Sequence, residues 1–291
     1  MPGAPSFHLF LPQMRMTIDA IVERAQAAES AGFEGIALMD HLVPPMAEDQ
    51  PMYEAIPTAT WIAAHTSTLL VGHLVLCDAV RHPAVLAKQA VTIDHASQGR
   101  FELGIGWGSV PDELDTFGIG DTAPRARVAR FAETLAVIER CWSGELFDFK
   151  GEHFTIEGGR QQPTPLRRIP IVIGGAGPKT LALVAQYADW WNVPLHRLDA
   201  FDEMAPKRGK ARISMQHMIG FVPDEDRRAD VADAAHRRFG RMGVVVGDGR
   251  ELVDHYRALH ERGVERFYVW FTDFAPLPTL AAFGEQVIAA L

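Results

Sequence analysis

Apolar segments of strand length alternate with segments of helical periodicity along almost the whole chain. Helical spacing is clear after Pro83, where Val85, Leu86, Ala90 and Ile93 recur on one face. Strands are predicted at 7–11, 35–39, 71–77, 101–105, 171–173, 190–193, 215–222 and 267–271. Such alternation is typical of a parallel α/β architecture, and no linker interrupts it. We therefore expect one (β/α)8 barrel, a TIM barrel, that spans residues 1–291 as a single domain.

Polar residues gather where the third and fourth predicted strands end. The chain passes from strand 71–77 through a helix at 84–96 to strand 101–105 and then into a glycine-rich loop. A right-handed parallel unit places the ends of two such strands side by side, and ligands bind beyond the carboxyl ends of parallel strands. Segments 73–81 and 106–113 are therefore predicted to line one binding mouth.

Asp40 and His41 end the second predicted strand and should point to the same mouth. An imidazole titrates near neutrality, so His41 could exchange a proton with a reduced cofactor or a substrate. A second interpretation is that Asp40 caps the following loop while His41 packs in the barrel. Spacing alone favours this second interpretation.

Two glycine-rich loops are candidates for contact with a cofactor. The first, 104–108, follows the fourth strand and runs into a polar segment, so it lacks the context of a Rossmann fingerprint. Close approach of its backbone to a flat ring explains its glycines better. The second loop opens a helix at Pro178, where free amides favour anions, although a plain turn also fits. It consists of Gly174, Gly175, Ala176 and Gly177.

Composition and charge narrow the possible classes of protein. A net charge of −9 argues against general binding to nucleic acid or anionic membranes. No apolar run approaches the roughly 20 residues that span a bilayer, and the first residues do not resemble a secretory signal. Cys77 and Cys141 are expected to be reduced thiols in the cytoplasm. No HExxH and no paired CxxC occurs, so no metal site is predicted.

The run RHPAVLAKQAVTIDHASQGRFELGIGWG, at 81–108, resembles the bacterial luciferase-like monooxygenase superfamily. A carboxylate pair and FGI follow it, as they do in that superfamily. AESAGFEGIALMDH upstream and PIVIGGAGPKTLALVAQYADWWN downstream extend the resemblance over most of the chain, with the weakest portion after about Pro194. The resemblance implies a (β/α)8 barrel that binds coenzyme F420 or reduced flavin mononucleotide (FMN).

The resemblance also implies roles for individual residues. F420-dependent members carry an acidic residue and a histidine where Asp40 and His41 stand, so Asp40 would contact the cofactor and His41 would be catalytic. His73-Leu74 would form a non-proline cis peptide whose bulge backs the ring, although an ordinary barrel position also fits His73. The other residues expected at the cofactor are Gly106, Trp107, Gly108, Asp112 and the loop Gly174, Gly175, Ala176 and Gly177.

Ser109 and Trp191 are expected to line the substrate pocket. In the F420-dependent glucose-6-phosphate dehydrogenase branch, an acidic catalytic residue occupies the position of Ser109. The serine makes activity on a sugar phosphate doubtful.

The expected function is therefore hydride transfer between F420 and a small organic substrate. Asp40-His41 favours F420 over the alternative, a monooxygenase that uses reduced FMN. A further alternative is a non-catalytic binding protein of the same fold. By analogy with the superfamily we expect a homodimer.

Overall fold

The computed structural model describes residues 3–45, 47–120, 123–193 and 195–291, without the side chains of Leu195, His196 and Arg241. The strands are β1 (Ser6–Phe10), β2 (Gly35–Leu38), β3 (Leu70–His73), β4 (Leu76–Cys77), β5 (Leu103–Gly106), β6 (Phe147–Lys150), β7 (Thr155–Gly159), β8 (Ile171–Gly174), β9 (Trp190–Val193), β10 (Arg212–Phe221), β11 (Val245–Gly247) and β12 (Arg266–Phe271). The helices are α1 (Ile18–Ser30), α2 (Ala55–His65), α3 (Pro83–Ala96), α4 (Pro111–Thr116), α5 (Pro124–Ser143), α6 (Pro178–Tyr187), α7 (Phe201–Met204), α8 (Arg228–Phe239), α9 (Gly249–Glu261) and α10 (Leu277–Gln286).

The strands form a parallel barrel in the order β3-β2-β1-β12-β10-β9-β8-β5-β4. A parallel bridge between Val71 of β3 and Phe101, just before β5, closes the barrel. β3 and β4 are two parts of one predicted strand and count as one position. The barrel therefore has eight strand positions, and the predicted (β/α)8 fold is confirmed. β11 pairs with β10 outside this order, and β6 and β7 form a separate antiparallel hairpin.

The third predicted strand is interrupted between β3 and β4. The non-proline cis peptide joins Leu74 to Val75, one bond later than the position His73-Leu74 that the motif spacing implied. Gly104 on β5 faces this interruption, and a Cβ there would collide with the carbonyl oxygen of His73. β5 can therefore lie this close to His73 only with glycine at position 104.

Helices α2, α4 and α7 differ from the sequence prediction, and α7 was not predicted. The sequence predicts a polar, proline-rich loop over 40–57 and a helix only after it. α2 instead begins at Ala55, because the Glu54 carboxylate accepts a hydrogen bond from the Ile56 amide at 2.7 Å and caps the helix. α4 was not predicted at all; Pro111 occupies its first turn. This short helix follows the first glycine loop and places the 112–115 segment beside the mouth of the barrel.

The amino ends of the strands are closed by a buried ion pair. Arg266 on β12 donates to both carboxylate oxygens of Glu102, at 2.7 and 3.2 Å, and its guanidinium lies 3.8 Å from the centre of the Trp190 ring. Both charged residues are almost completely buried. Access to the barrel is thus left to the opposite end. Among the described helices, none is long and apolar enough to cross a membrane.

Candidate active site

Two adjoining cavities lie at the carboxyl ends of the barrel strands. The first, of about 530 Å³, is here called the glycine cavity, after Gly106, Gly108 and the 174–177 loop in its wall. The second, of about 590 Å³, is called the arginine cavity, after Arg15, Arg237 and Arg238. Both volumes are typical of small-molecule sites. The residues that line both cavities are Met39, His41, Leu74, Ser109 and Val110.

Gly106 and Gly108 keep one side of the glycine cavity free of side chains. A Cβ on Gly106 would lie 2.9 Å from Cγ2 of Val75, and one on Gly108 would lie 2.8 Å from Sγ of Cys77. Gly108 also has a φ of +81°, a conformation that favours glycine. Leu74 and Val75, the two residues of the cis peptide, line the same cavity. At these two positions the wall of the cavity is bare backbone, packed too closely against Val75 and Cys77 to accept a side chain.

The 174–177 loop forms the other side of the glycine cavity. Gly175 has a φ of +123°, and Gly177 precedes α6 without any side-chain cap. The first amides of a helix are hydrogen-bond donors with a partial positive charge, which suits an anionic group. Trp191 fixes this loop, because its Nε1 donates to the carbonyl oxygen of Gly175 at 2.8 Å. Arg197 also lines the cavity.

Trp107 separates the glycine cavity from a buried cation. Its Nε1 donates to Oγ1 of Thr180 at 3.2 Å, and the guanidinium of Arg127 lies 4.7 Å from the ring centre. Arg127 is 5% exposed, and its Nε and Nη1 have no hydrogen-bond partner among the described residues. The buried Asp78 carboxylate is a counter-charge within reach, since burial raises the pKa of Asp78 to about 6 while the charges of Arg130 and Arg127 act to lower it.

His41 stands where the two cavities meet and is paired with Glu113. Nδ1 of His41 lies 2.8 Å from Oε2 of Glu113, and both side chains are largely buried. A carboxylate only accepts, so this contact places a proton on Nδ1 and leaves Nε2 as the atom that can accept or return a proton. Oε1 of Glu113 accepts from the amides of Leu42 and Val43, which fixes the carboxylate.

The carboxylate of Asp40, the residue before His41, is fixed by hydrogen bonds from the protein. Its carboxylate accepts from both terminal nitrogens of Arg81, at 2.7 and 2.8 Å, and from the Cys77 amide at 2.8 Å. Arg81 also pairs with Glu54 at the start of α2. Asp40 lines the glycine cavity, so contact with a cofactor stays a prediction, but its oxygens are already engaged with protein donors.

Three expected residues do not reach either cavity. His73 is buried behind the strand, with Nε2 directed at the carbonyl oxygen of Ala55. Asp112 is exposed on α4. Trp191 is completely buried, its Nε1 bonded to the Gly175 carbonyl oxygen, and it is absent from the described lining of both cavities. The remaining expected residues, including Ser109, line the glycine cavity.

Sequence reasoning placed Glu113 in the mouth segment 106–113 but gave it no role, and it missed the cationic residues Arg15, Arg197, Arg237 and Arg238 around the cavities. A signal for Glu113 was present, because Pro111 followed by Asp112 and Glu113 is typical of a helical first turn. Cys77 also lines the glycine cavity, but burial raises the pKa of its thiol to about 11. A thiol that stays protonated is a poor nucleophile. Within the described residues, no group of three or more His, Cys, Asp or Glu could hold a metal ion.

The fold and this mouth define a (β/α)8 protein with a cofactor-sized cavity beside a histidine. The chain belongs to the luciferase-like monooxygenase family, whose model matches residues 4–262. It is 32% identical over 196 residues to an F420-dependent hydroxymycolic acid dehydrogenase of Mycobacterium tuberculosis, covering 65% of this chain and 53% of that one. It is 28% identical over 213 residues to an F420-dependent glucose-6-phosphate dehydrogenase of Microbacterium testaceum, covering 68% and 63%. The chain thus spans only about half to two-thirds of the length of these relatives.

Solved structures share the fold at lower identity. An F420-dependent secondary alcohol dehydrogenase, in complex with an F420-acetone adduct, superposes with a TM-score of 0.81 at 19% identity, covering 99% of this chain and 100% of that one. A long-chain alkane monooxygenase gives a TM-score of 0.81 at 16% identity, covering 100% and 92%. At this level of identity the comparison shows the barrel and not its chemistry.

Proposed function

We propose that this protein is an F420-dependent oxidoreductase that transfers a hydride between the deazaflavin and a small organic substrate. The observation that carries the proposal is the His41–Glu113 pair at the junction of the two cavities. One cavity has the glycine walls that a planar cofactor needs, and the other offers room for a substrate. The F420-dependent relatives from Mycobacterium tuberculosis and Microbacterium testaceum support the choice of cofactor.

The glycine cavity fits a cofactor with a flat ring and an anionic tail. Gly106 and Gly108 would admit the ring against Leu74 and Val75, and the amides after Gly177 would hold the tail. F420, when bound, supplies a carbon that accepts or donates a hydride.

The protein's own contribution is to hold a proton beside the substrate. Glu113 keeps the Nδ1 proton of His41 in place, so Nε2 can accept a proton from a substrate that is oxidised or return one to a substrate that is reduced. His41 is therefore the proposed catalytic residue. Ser109 lines both cavities and would contact the substrate close to the imidazole.

The second candidate function is a monooxygenase that uses reduced FMN. It is supported by the membership of the chain in the luciferase-like monooxygenase family. Both cofactors would use the glycine cavity. The two candidate functions therefore differ in which cofactor the protein should bind more tightly. A non-catalytic binding protein is the third possibility, but it gives no reason for a histidine and a carboxylate paired at the junction of two cavities.

We also propose one barrel domain that works as a cytoplasmic homodimer. Two free, buried thiols, Cys77 and Cys141, support a reducing compartment. Exposed apolar side chains on neighbouring helices, Trp61 on α2 and Val85 on α3, support an interface between two copies.

Titration of the purified protein with F420 and with reduced FMN, under anaerobic conditions, tests the proposal. Fluorescence of F420 should report binding that is tighter than that of reduced FMN. Gly174→Val should weaken the binding of F420 and preserve the melting temperature, because the new Cβ would meet no atom closer than the Asn192 carbonyl oxygen at 4.0 Å.

The matched control is Ala182→Val on the exposed side of α6, which should leave both properties unchanged. Equal or tighter binding of reduced FMN would favour the monooxygenase. Binding of neither cofactor would leave the non-catalytic alternative.

A further inference from the structure

The arginine cavity is distinct from the glycine cavity in charge. Three arginines from two separate segments line it: Arg15 from the loop after β1, and Arg237 and Arg238 from the end of α8. None of the three forms an ion pair with a carboxylate in the part of the chain that the structure describes. The described lining contains no Asp or Glu either.

Arg238 is the most enclosed of these cations. Its Nη1 donates to the carbonyl oxygens of Phe271 and Thr272, and no bond from Nε or Nη2 to a described residue is formed. Burial, and then the charge of Arg15, lowers the pKa of Arg238 to about 10, with a smaller opposing contribution from Asp273. Asp273 is occupied elsewhere, since its oxygens accept from the Ala275 amide and the Thr279 hydroxyl. Two guanidinium groups that repel each other thus share the cavity without a counter-ion.

The walls around these cations are aromatic. The Trp270 ring packs edge-on against Phe10, with centroids 5.0 Å apart, and against Phe239 at 4.7 Å. Phe274 lies 3.6 Å from the guanidinium of Arg238. Aromatic faces of this kind favour a flat apolar body, and guanidinium groups favour a carboxylate or a phosphate. The two preferences occur in the same cavity.

We propose that the arginine cavity binds the substrate, and that the substrate is an organic anion with a flat apolar body. Its anionic group would lie at Arg15 and Arg238, and its reacting carbon would lie toward His41, which lines the same cavity. This inference rests on the proposed function for the identity of the reaction, but the binding preference itself needs no cofactor. It does not involve the cofactor's own anionic tail, for which the loop before α6 provides separate donors.

Calorimetric titration with three small probes tests the preference: benzoate, phenyl phosphate and the neutral benzamide. We expect at least one of the two anions to bind on the order of tenfold tighter than benzamide, because one charge-assisted hydrogen bond contributes that much. The preferred anion identifies the acidic group. The preference should shrink as ionic strength rises.

Arg15→Gln and Arg238→Gln should each reduce this preference. Arg15→Gln is the safer variant, because the Arg15 side chain is exposed and forms no hydrogen bond to a described residue, whereas Arg238 also holds two carbonyl oxygens. The matched control is Arg257→Gln on α9, which removes an exposed arginine whose ion pair among the described residues is with Asp254 and should keep the wild-type preference.

Equal affinity for anions and benzamide, no binding of any probe, or an unchanged preference in the Arg15→Gln/Arg238→Gln double variant would overturn the inference. Each titration is run with and without F420. If F420 fails to bind while the anion preference persists, only the proposed function fails. If F420 binds and the probes do not differ, only the inference about the substrate fails.

Discussion

Replacing Glu113 by glutamine should reverse the tautomer of His41. The glutamine oxygen can still accept from the amides of Leu42 and Val43, as Oε1 of Glu113 does. Its NH2 group then faces Nδ1 of His41, and since this group only donates, Nδ1 must become the acceptor. The proton moves to Nε2, so the atom that faces the cavities can no longer accept one.

The expected changes in the free energy of unfolding and in kcat follow from which hydrogen bonds of Glu113 survive. Glu113→Gln keeps the two backbone bonds, so we expect it to lower the free energy of unfolding by less than about 1 kcal/mol. Glu113→Ala removes all acceptors and should cost about 1–3 kcal/mol. In the direction in which His41 accepts the proton, Glu113→Gln should lower kcat by about 10²-fold or more, as removal of a positioned base does.

The assay is nitrogen NMR of the His41 ring, which distinguishes Nδ1–H from Nε2–H without any substrate. The matched control is Asp112→Asn, which neutralises the adjacent, exposed carboxylate of the same helical turn. The wild type and Asp112→Asn should both show the proton on Nδ1. An Nδ1–H signal that persists in Glu113→Gln would refute the reasoning, and so would the same change in Asp112→Asn.

Three further predictions follow from buried groups. Burial, and then the charge of His255, lowers the pKa of His217 to about 3 in the folded protein. Below about pH 6.5 the unfolded chain binds a proton at His217 that the folded protein does not, so the free energy of unfolding falls as the pH is lowered. Urea unfolding at about pH 4.5 should show roughly 2–3 kcal/mol of this loss, which His217→Phe should remove. Gly104→Ala should prevent native folding, judged by circular dichroism, because its Cβ would meet the His73 carbonyl oxygen. Cys77 should resist alkylation in the native protein at about pH 8, judged by mass spectrometry, since its pKa is raised to about 11.

The barrel could be predicted because its signal is local. Each strand position is an apolar run of a few residues, each helix has its own periodicity, and the number of runs sets the number of strands. The boundaries moved by a few residues where a polar side chain decided them, as Glu54 does at the start of α2. β11 escaped prediction because three residues, Val245–Gly247, carry too little pattern.

The direction of side chains within a barrel strand is much harder to predict. Strands of a parallel barrel are buried on both faces, so apolar residues occupy alternate positions on both sides and the sequence does not show which side faces the mouth. A shift of one residue reverses the side chain. His73 and Trp191 were therefore placed correctly along the strand but on the wrong side for the cavities.

The His41–Glu113 pair depends on two loops that meet only in the folded barrel. Seventy-two positions separate the two residues, and each by itself resembles an ordinary polar residue of a loop or a helical turn. The arginine cavity is similar, since Arg15 and Arg238 come from opposite ends of the chain. Only the closure of the barrel, which brings β1 beside β12 and β12 beside β10, places these charges together.

The position of the Glu113 carboxylate would allow the proposed anionic substrate and the proposed catalytic residue His41 to share one mouth. The family resemblance puts an acidic residue at position 109 in the sugar-phosphate branch, whereas this chain has Ser109, which lines both cavities. Its carboxylate comes from Glu113 instead, which lines the glycine cavity and is absent from the described lining of the arginine cavity. An acid at position 109 would add a negative charge to the walls of both cavities and weaken the attraction of Arg15 and Arg238 for the proposed anion. Glu113 can fix the tautomer of His41 from the other side of the imidazole, so the substrate meets a neutral wall at Ser109 and positive charge at Arg15 and Arg238.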